Sequence, residues 1–301
     1  DKLYNSPIDF GLVAYSVKNR TPLQKFKNEI PKEQMEDYLL ATSCFPIFKP
    51  QSINGEEYFD GGLYDNTPAN MLIEKGYKNI IIADIAGMGF SRKTTNKDIY
   101  VKVISSSEDL GGTFEFNHEK IINNMKLGYL DTMKVYKKLD GDKYTFKLGD
   151  LDKNYQKYSD KFLKYCEDLF KEDEGIYTDI LKLNLFNRIL KTKGEYEIRK
   201  IFNETVEFLG NALDVDTCKL YDINKFNRIL LKKIRKQEQI SREFIEKKIK
   251  KKDFKELLKA GSVVKYLYNA LEKDENHKEL CALALVFPKE FVGALYLRGI
   301  K

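Results

Sequence analysis

The feature that most constrains this chain is a change of pattern near residue 145. Before it, short β-type runs alternate with helical spacings, as in an α/β layer fold; after it, the pattern is almost entirely helical. Two domains are expected, 1–145 and 146–301, in line with roughly 100 to 200 residues per domain. In the first, Ile8 to Val17 reads as a buried strand running into a turn at Asn19-Arg20-Thr21-Pro22. Pro31 then opens a helix with Met35, Tyr38, Leu39 and Thr42 on one side. Glu57-Tyr58-Phe59 is a strand that enters Asp60-Gly61-Gly62, and Thr67-Pro68 reads as the cap and first position of the next helix. Asn79 to Ile85 is nearly continuous in apolar residues, as strands covered on both faces are. A further strand over Tyr100 to Ile104 precedes a loop. Asn117 then caps a helix with Ile122, Met125, Tyr129, Met133 and Tyr136 on one side. The expected fold class is therefore α/β, a helix-covered sheet followed by a mainly α-helical domain.

Composition removes several functions. Hydrophobic residues at 42% and charged residues at 33%, with 18 Gly and 7 Pro, describe a folded protein rather than a disordered or collagen-like one. No stretch approaches the roughly 18 apolar residues of a membrane span. Cys44, Cys166, Cys218 and Cys281 form no C-x-x-C pair, so they read as reduced, mostly buried thiols of a cytoplasmic protein, and no metal site is indicated. Only two histidines are present, His118 and His277, both read as ordinary cap or surface residues, which leaves little for an imidazole mechanism.

The net charge of +6 is modest, and residues 231–259 hold twelve Lys or Arg against five Asp or Glu. Three readings stand for that stretch. One is a solvated basic face behind an apolar stripe that includes Ile234, Ile240, Phe244 and Ile245. The second is peripheral contact with an anionic membrane. The third, nucleic-acid binding, lacks any reader motif and is not expected.

The chemistry-bearing candidate is Asp60, at a strand end where a carboxylate can protrude and two glycines permit close backbone approach. On spacing alone an Asp-Gly pair is most often a turn. Around it, however, Ala41-Thr42-Ser43-Cys44-Phe45-Pro46-Ile47-Phe48-Lys49-Pro50 and then Tyr58-Phe59-Asp60-Gly61-Gly62-Leu63-Tyr64-Asp65-Asn66-Thr67-Pro68 resemble the second half of patatin-like phospholipases. Asp109 to Phe116 and Lys126-Leu127-Gly128-Tyr129-Leu130-Asp131-Thr132 are similar to that family's closing loop and Gly-Tyr-x-Asp helix.

The resemblance implies a patatin-like acyl hydrolase domain over 1–145 that acts on phospholipid or other lipid esters through a Ser-Asp dyad, with no cofactor. By matching position Asp60 is the aspartate, and Gly61 and Gly62 support its turn. The serine would stand in a Gly-x-Ser-x-Gly elbow upstream of the aspartate. The nearest sequence here, Gly89-Phe90-Ser91-Arg92-Lys93, has Lys93 in place of the second glycine and follows Asp60. The nucleophile is thus expected in a missing N-terminal segment of the same protein, and this chain alone is expected to be inactive. The alternative is a non-catalytic, patatin-derived protein that binds a membrane surface or a partner. Asp65 and Asn66 are expected to shape the loop after Asp60, Asp84 to serve a turn, and Cys44 to pack.

Overall fold

The computed structural model describes residues 2–95, 98–171, 195–250, 259–273 and 277–301. The chain divides into two compact units, Asp1–Asn117 and His118–Lys301, a division that falls ahead of the boundary expected at 145.

In the first unit, strands β1 (Gly11–Ser16), β2 (Pro22–Phe26), β3 (Gln51–Ile53) and β4 (Glu56–Asp60) form an antiparallel sheet in the order β2-β1-β4-β3. The predicted strand around β1 is present, with Leu12, Val13 and Ala14 buried. The expected turn at Asn19-Arg20-Thr21-Pro22 is present and closes a hairpin whose second strand went unread, as did a second hairpin altogether. In one, Arg20 takes a positive φ of 55° and Pro22 opens an edge strand, where its missing N–H does no harm. In the other, Asn54 (φ 52°) and Gly55 (φ 80°) make the tight turn between β3 and β4, for which Asn-Gly is the expected dipeptide. Helix α1 (Lys2–Asn5) and helix α2 (Met35–Thr42) flank this sheet, and Met35, Tyr38 and Ala41 enter a core with Leu12, Ala14, Ile30, Ile53 and Tyr58. Leu39, expected on the inner face, is exposed, because α2 starts at Met35 after a separate 3-10 turn and so presents a narrower stripe.

Helix α3 (Ala69–Glu74) has Pro68, not Thr67, at its cap position, since the Thr67 N–H and hydroxyl both turn to Asp65. Strands β5 (Asn79–Asp84) and β6 (Tyr100–Ser105) pair in parallel as a separate two-stranded sheet. Here the expectation of cover on both faces fails. Only Ile80 of β5 is buried, whereas Ile81 is 60% and Val103 46% exposed. The apolar run is that of a strand covered on both faces, but among the described residues only the Ile80 side is covered and Ile81 stands open.

The second unit is mainly helical. Its helices are α4 (His118–Val135), α5 (Asp150–Lys171), α6 (Glu195–Ala212), α7 (Ile223–Lys236), α8 (Arg242–Lys250), α9 (Ala260–Glu272), α10 (His277–Val286) and α11 (Pro288–Ile300). An unanticipated small sheet, β7 (Leu139–Asp140), β8 (Thr145–Lys147) and β9 (Leu220–Tyr221), lies among them. The core is aromatic: Tyr144, Phe146, Phe162, Phe202, Phe226 and Tyr296 are buried and meet edge to face, as ring quadrupoles favour. Inside it, Asn154, Asn227 and Tyr296 close a ring in which each donates one hydrogen bond and accepts one, at 2.8 to 2.9 Å. The Glu207 carboxylate accepts from the N–H groups of Asp142, Lys143 and Tyr144, although burial pushes it above its ordinary pKa.

On α4 the expected apolar side is not the inner one. Leu127, Leu130 and Asp131 are buried, while Ile122, Met125 and Tyr129 are exposed. In the basic stretch, Ile234, Ile240 and Ile245 are buried, and Lys232, Arg235 and Lys236 are exposed, as a docked amphipathic helix requires. Residues 251–258 of that stretch, and the side chains of Cys166, His277 and Cys281, lie outside the described residues.

Candidate active site

The site is assembled from the end of β4. Asp60 pairs with Ala14 of β1, and its N–H donates to the Cys44 carbonyl (2.8 Å), so the strand tip is pinned from both sides. The chain then turns at once into a 3-10 helix, Gly61–Leu63, and the Gly62 N–H donates to Asp60 Oδ1 (2.7 Å). One carboxylate oxygen therefore caps the turn. Asp60 is half-buried, and among the described residues no cation pairs with it.

Both glycines are required by space. A Cβ on Gly61 would stand 2.3 Å from the Val13 carbonyl oxygen, and one on Gly62 would stand 2.4 Å from Asn66 Oδ1 and 3.2 Å from Asp60 Oδ1. The Asp-Gly-Gly order thus lets β4 end against β1 while the turn wraps the carboxylate.

A second loop, residues 85–92, is stitched to this turn. The Phe90 N–H donates to the Gly62 carbonyl (2.9 Å), the Asn66 N–H to the Phe90 carbonyl (2.6 Å), and Asn66 Nδ2 to the Gly87 carbonyl (3.0 Å). Buried Asp65 accepts from the N–H groups of Thr67 (3.0 Å) and Arg92 (3.1 Å) through Oδ1. Gly89 makes the approach possible: its φ is 141°, and a Cβ there would lie 2.4 Å from the Gly62 carbonyl oxygen. Asp65 and Asn66 hold the loop as expected, and Asp84 Oδ1 accepts from the Ala86 N–H (2.8 Å), a turn role. The part played by Gly89 was missed in the sequence, although Gly87-Met88-Gly89 just after a strand was the available signal.

Ser91 is exposed in this loop and makes no hydrogen bond to Asp60. Cys44 is half-buried, with its thiol directed to the Lys49 carbonyl (3.1 Å). In the second unit, Asp131 of the Gly-Tyr-x-Asp segment is buried and paired with Lys134 at 2.9 Å. Among the described residues no group of three His, Cys, Asp or Glu is placed to hold a metal ion, and no helix is long and apolar enough to cross a membrane.

What this arrangement offers chemically is one positioned carboxylate with a free oxygen at the tip of a strand, held by backbone and not neutralised by a cation. Such a group accepts a proton from a nucleophile brought to it. No curated protein and no solved structure gives a significant match to the chain. Residues 4–73, which include β1, α2, β4 and the Asp60-Gly61-Gly62 turn, match the family model described as patatin-like phospholipase, so the segment that builds this site is similar to that family.

Proposed function

We propose that this chain supplies the acidic half of a serine lipid acyl hydrolase of the phospholipase A kind. Asp60 takes the proton from a serine Oγ as it attacks the acyl carbonyl, then returns a proton to the departing alcohol oxygen; water repeats the sequence on the acyl-serine. The serine and its oxyanion donors come from a segment upstream of this chain, so the chain by itself performs no acyl transfer. We place the protein in the cytoplasm, in contact with lipid at a membrane surface.

The observation that carries this reading is the state of Asp60: Oδ1 is fixed by the Gly62 N–H while the half-buried carboxylate has no cationic partner. Its neighbours in the sequence pattern are held otherwise: buried Asp131 is paired with Lys134, and buried Asp65 accepts from the N–H groups of both Thr67 and Arg92 through Oδ1. The family match over 4–73 gives the chemistry its class.

The test is hydrolysis of a short-chain nitrophenyl ester by the purified 301-residue chain. No turnover above buffer is expected, with or without Ser91→Ala. Turnover that disappears on Ser91→Ala or on Asp60→Asn would show a complete site within this chain and contradict the proposal.

A further inference from the structure

Two loops of the first unit are hydrogen-bonded to the Asp60 turn and a third packs by a ring contact on one of them, and each carries large apolar side chains into solvent. The loop after α2 is tied to the site by the bond from the Asp60 N–H to the Cys44 carbonyl, and it exposes Ile47 and Phe48. Loop 85–92, held by the bond from the Phe90 N–H to the Gly62 carbonyl, exposes Met88 and Phe90. In the third loop Phe114 packs edge-on against Phe45 (centroids 5.6 Å apart) and Phe48 (6.2 Å), and Phe116 is 82% exposed. Single exposed apolar residues are ordinary on a protein surface; a set on three loops joined around one carboxylate marks a contact surface.

Charge identifies the occupant. Lys49 directly follows Phe48, and Lys93 stands three residues after Phe90; both are exposed, and neither forms an ion pair among the described residues. Two acids of the third loop bond to nearby backbone, Glu115 accepting from the Gly112 N–H (3.3 Å) and Asp109 from the Gly111 N–H (2.8 Å). Aromatic and aliphatic tips flanked by unpaired cations are complementary to a layer whose surface is anionic and whose interior is hydrocarbon. The exposed side of β5 and β6 that carries Ile81 differs, since its lysine, Lys102, is engaged over the Tyr100 ring (5.7 Å).

We infer that the loop tips around Asp60 dock onto an anionic phospholipid bilayer, with Phe48, Phe90 and Phe116 entering the acyl boundary and Lys49 and Lys93 meeting headgroup phosphates. This rests on reading Asp60 as part of a lipid hydrolase. It puts the membrane contact at the site itself rather than on residues 231–259.

The chain contains no tryptophan, so Phe48→Trp introduces a sole reporter at a loop tip. Added to vesicles of phosphatidylcholine with phosphatidylglycerol, its emission shifts to the blue and is quenched by acyl-brominated lipid, while Ile81→Trp shows neither. Lys49→Ala and Lys93→Ala each weaken binding about fivefold, an effect that high salt removes. The exposed pair Phe48→Ser with Phe116→Ser weakens it by at least about tenfold with an unchanged circular dichroism spectrum. An unshifted, unquenched Phe48→Trp emission, or vesicle binding that survives both serine substitutions and falls only on charge reversal within 231–259, would overturn the inference. Insertion is read without turnover, so an Asp60 that proves inert leaves it unchanged, and a failure to insert overturns this contact without touching the reading of Asp60 as half of a dyad.

Discussion

At the residue scale, Asp60 has two jobs that substitution can separate. Asn keeps an oxygen to accept from the Gly62 N–H, as N-cap residues do, whereas Ala removes a cap at a cost of about 1 kcal/mol. Asp60→Asn is therefore expected to fold as well as the parent by thermal denaturation, and Asp60→Ala to be measurably weaker. Gly61→Ala is expected to destabilise by about 1 to 3 kcal/mol, because its Cβ meets a backbone carbonyl that cannot step aside. Gly112→Ala, where the nearest atom is 4.0 Å away, serves as the near-neutral comparison. Glu56 gives a pH signature. Hydrogen bonds from Ser16 Oγ (2.5 Å), then Tyr58 OH (3.0 Å) and Asn19, hold its carboxyl below the ordinary 4.5. A lowered carboxylate stabilises the fold above about pH 4.5 and loses that contribution as pH falls through its folded pKa. Glu56→Gln should flatten the loss of stability below pH 4.5 seen in urea titrations; an unchanged slope would remove Glu56 as its source.

At the scale of elements, the legible parts were those where local chemistry and tertiary context agree. The strand at Leu12 to Ala14, the turn at Asp60-Gly61-Gly62 and the Asp65 and Asn66 anchors follow from residue type alone. Asn54-Gly55 was equally legible and went unread. Burial was not legible on β5 and α4, because periodicity shows which face is apolar and not whether anything covers it; Ile81 and Met125 are apolar and exposed. Nor could the sequence show that Asn154, Asn227 and Tyr296, far apart in the chain, close a polar ring inside an aromatic core. Tyr296→Phe leaves two buried amides short of a partner and is expected to cost about 1 to 3 kcal/mol in urea denaturation of the full chain, whereas an exposed Tyr129→Phe should cost nothing measurable.

At the scale of the molecule, the first unit carries exposed apolar surface of two kinds. The loop tips around Asp60 sit beside unpaired lysines, whereas the two-stranded β5–β6 sheet exposes Ile81 on one side, in register with Lys102, and Val103 on the other. Apolar sheet surface of the second kind favours association with another polypeptide segment. Sedimentation velocity is expected to show concentration-dependent self-association of the chain, reduced by Ile81→Ser with Val103→Ser, one on each side of the sheet; a monomer at every concentration would argue that this sheet needs no cover.

The central claim concerns Asp60 as one half of a dyad completed from upstream. Its most direct test is fatty-acid release from phospholipid by this chain joined to the serine-bearing upstream segment that the proposal calls for. Restored release that falls at least about a hundredfold on Asp60→Asn, with folding unchanged, is the predicted result. Release that Asp60→Asn leaves intact would contradict the claim.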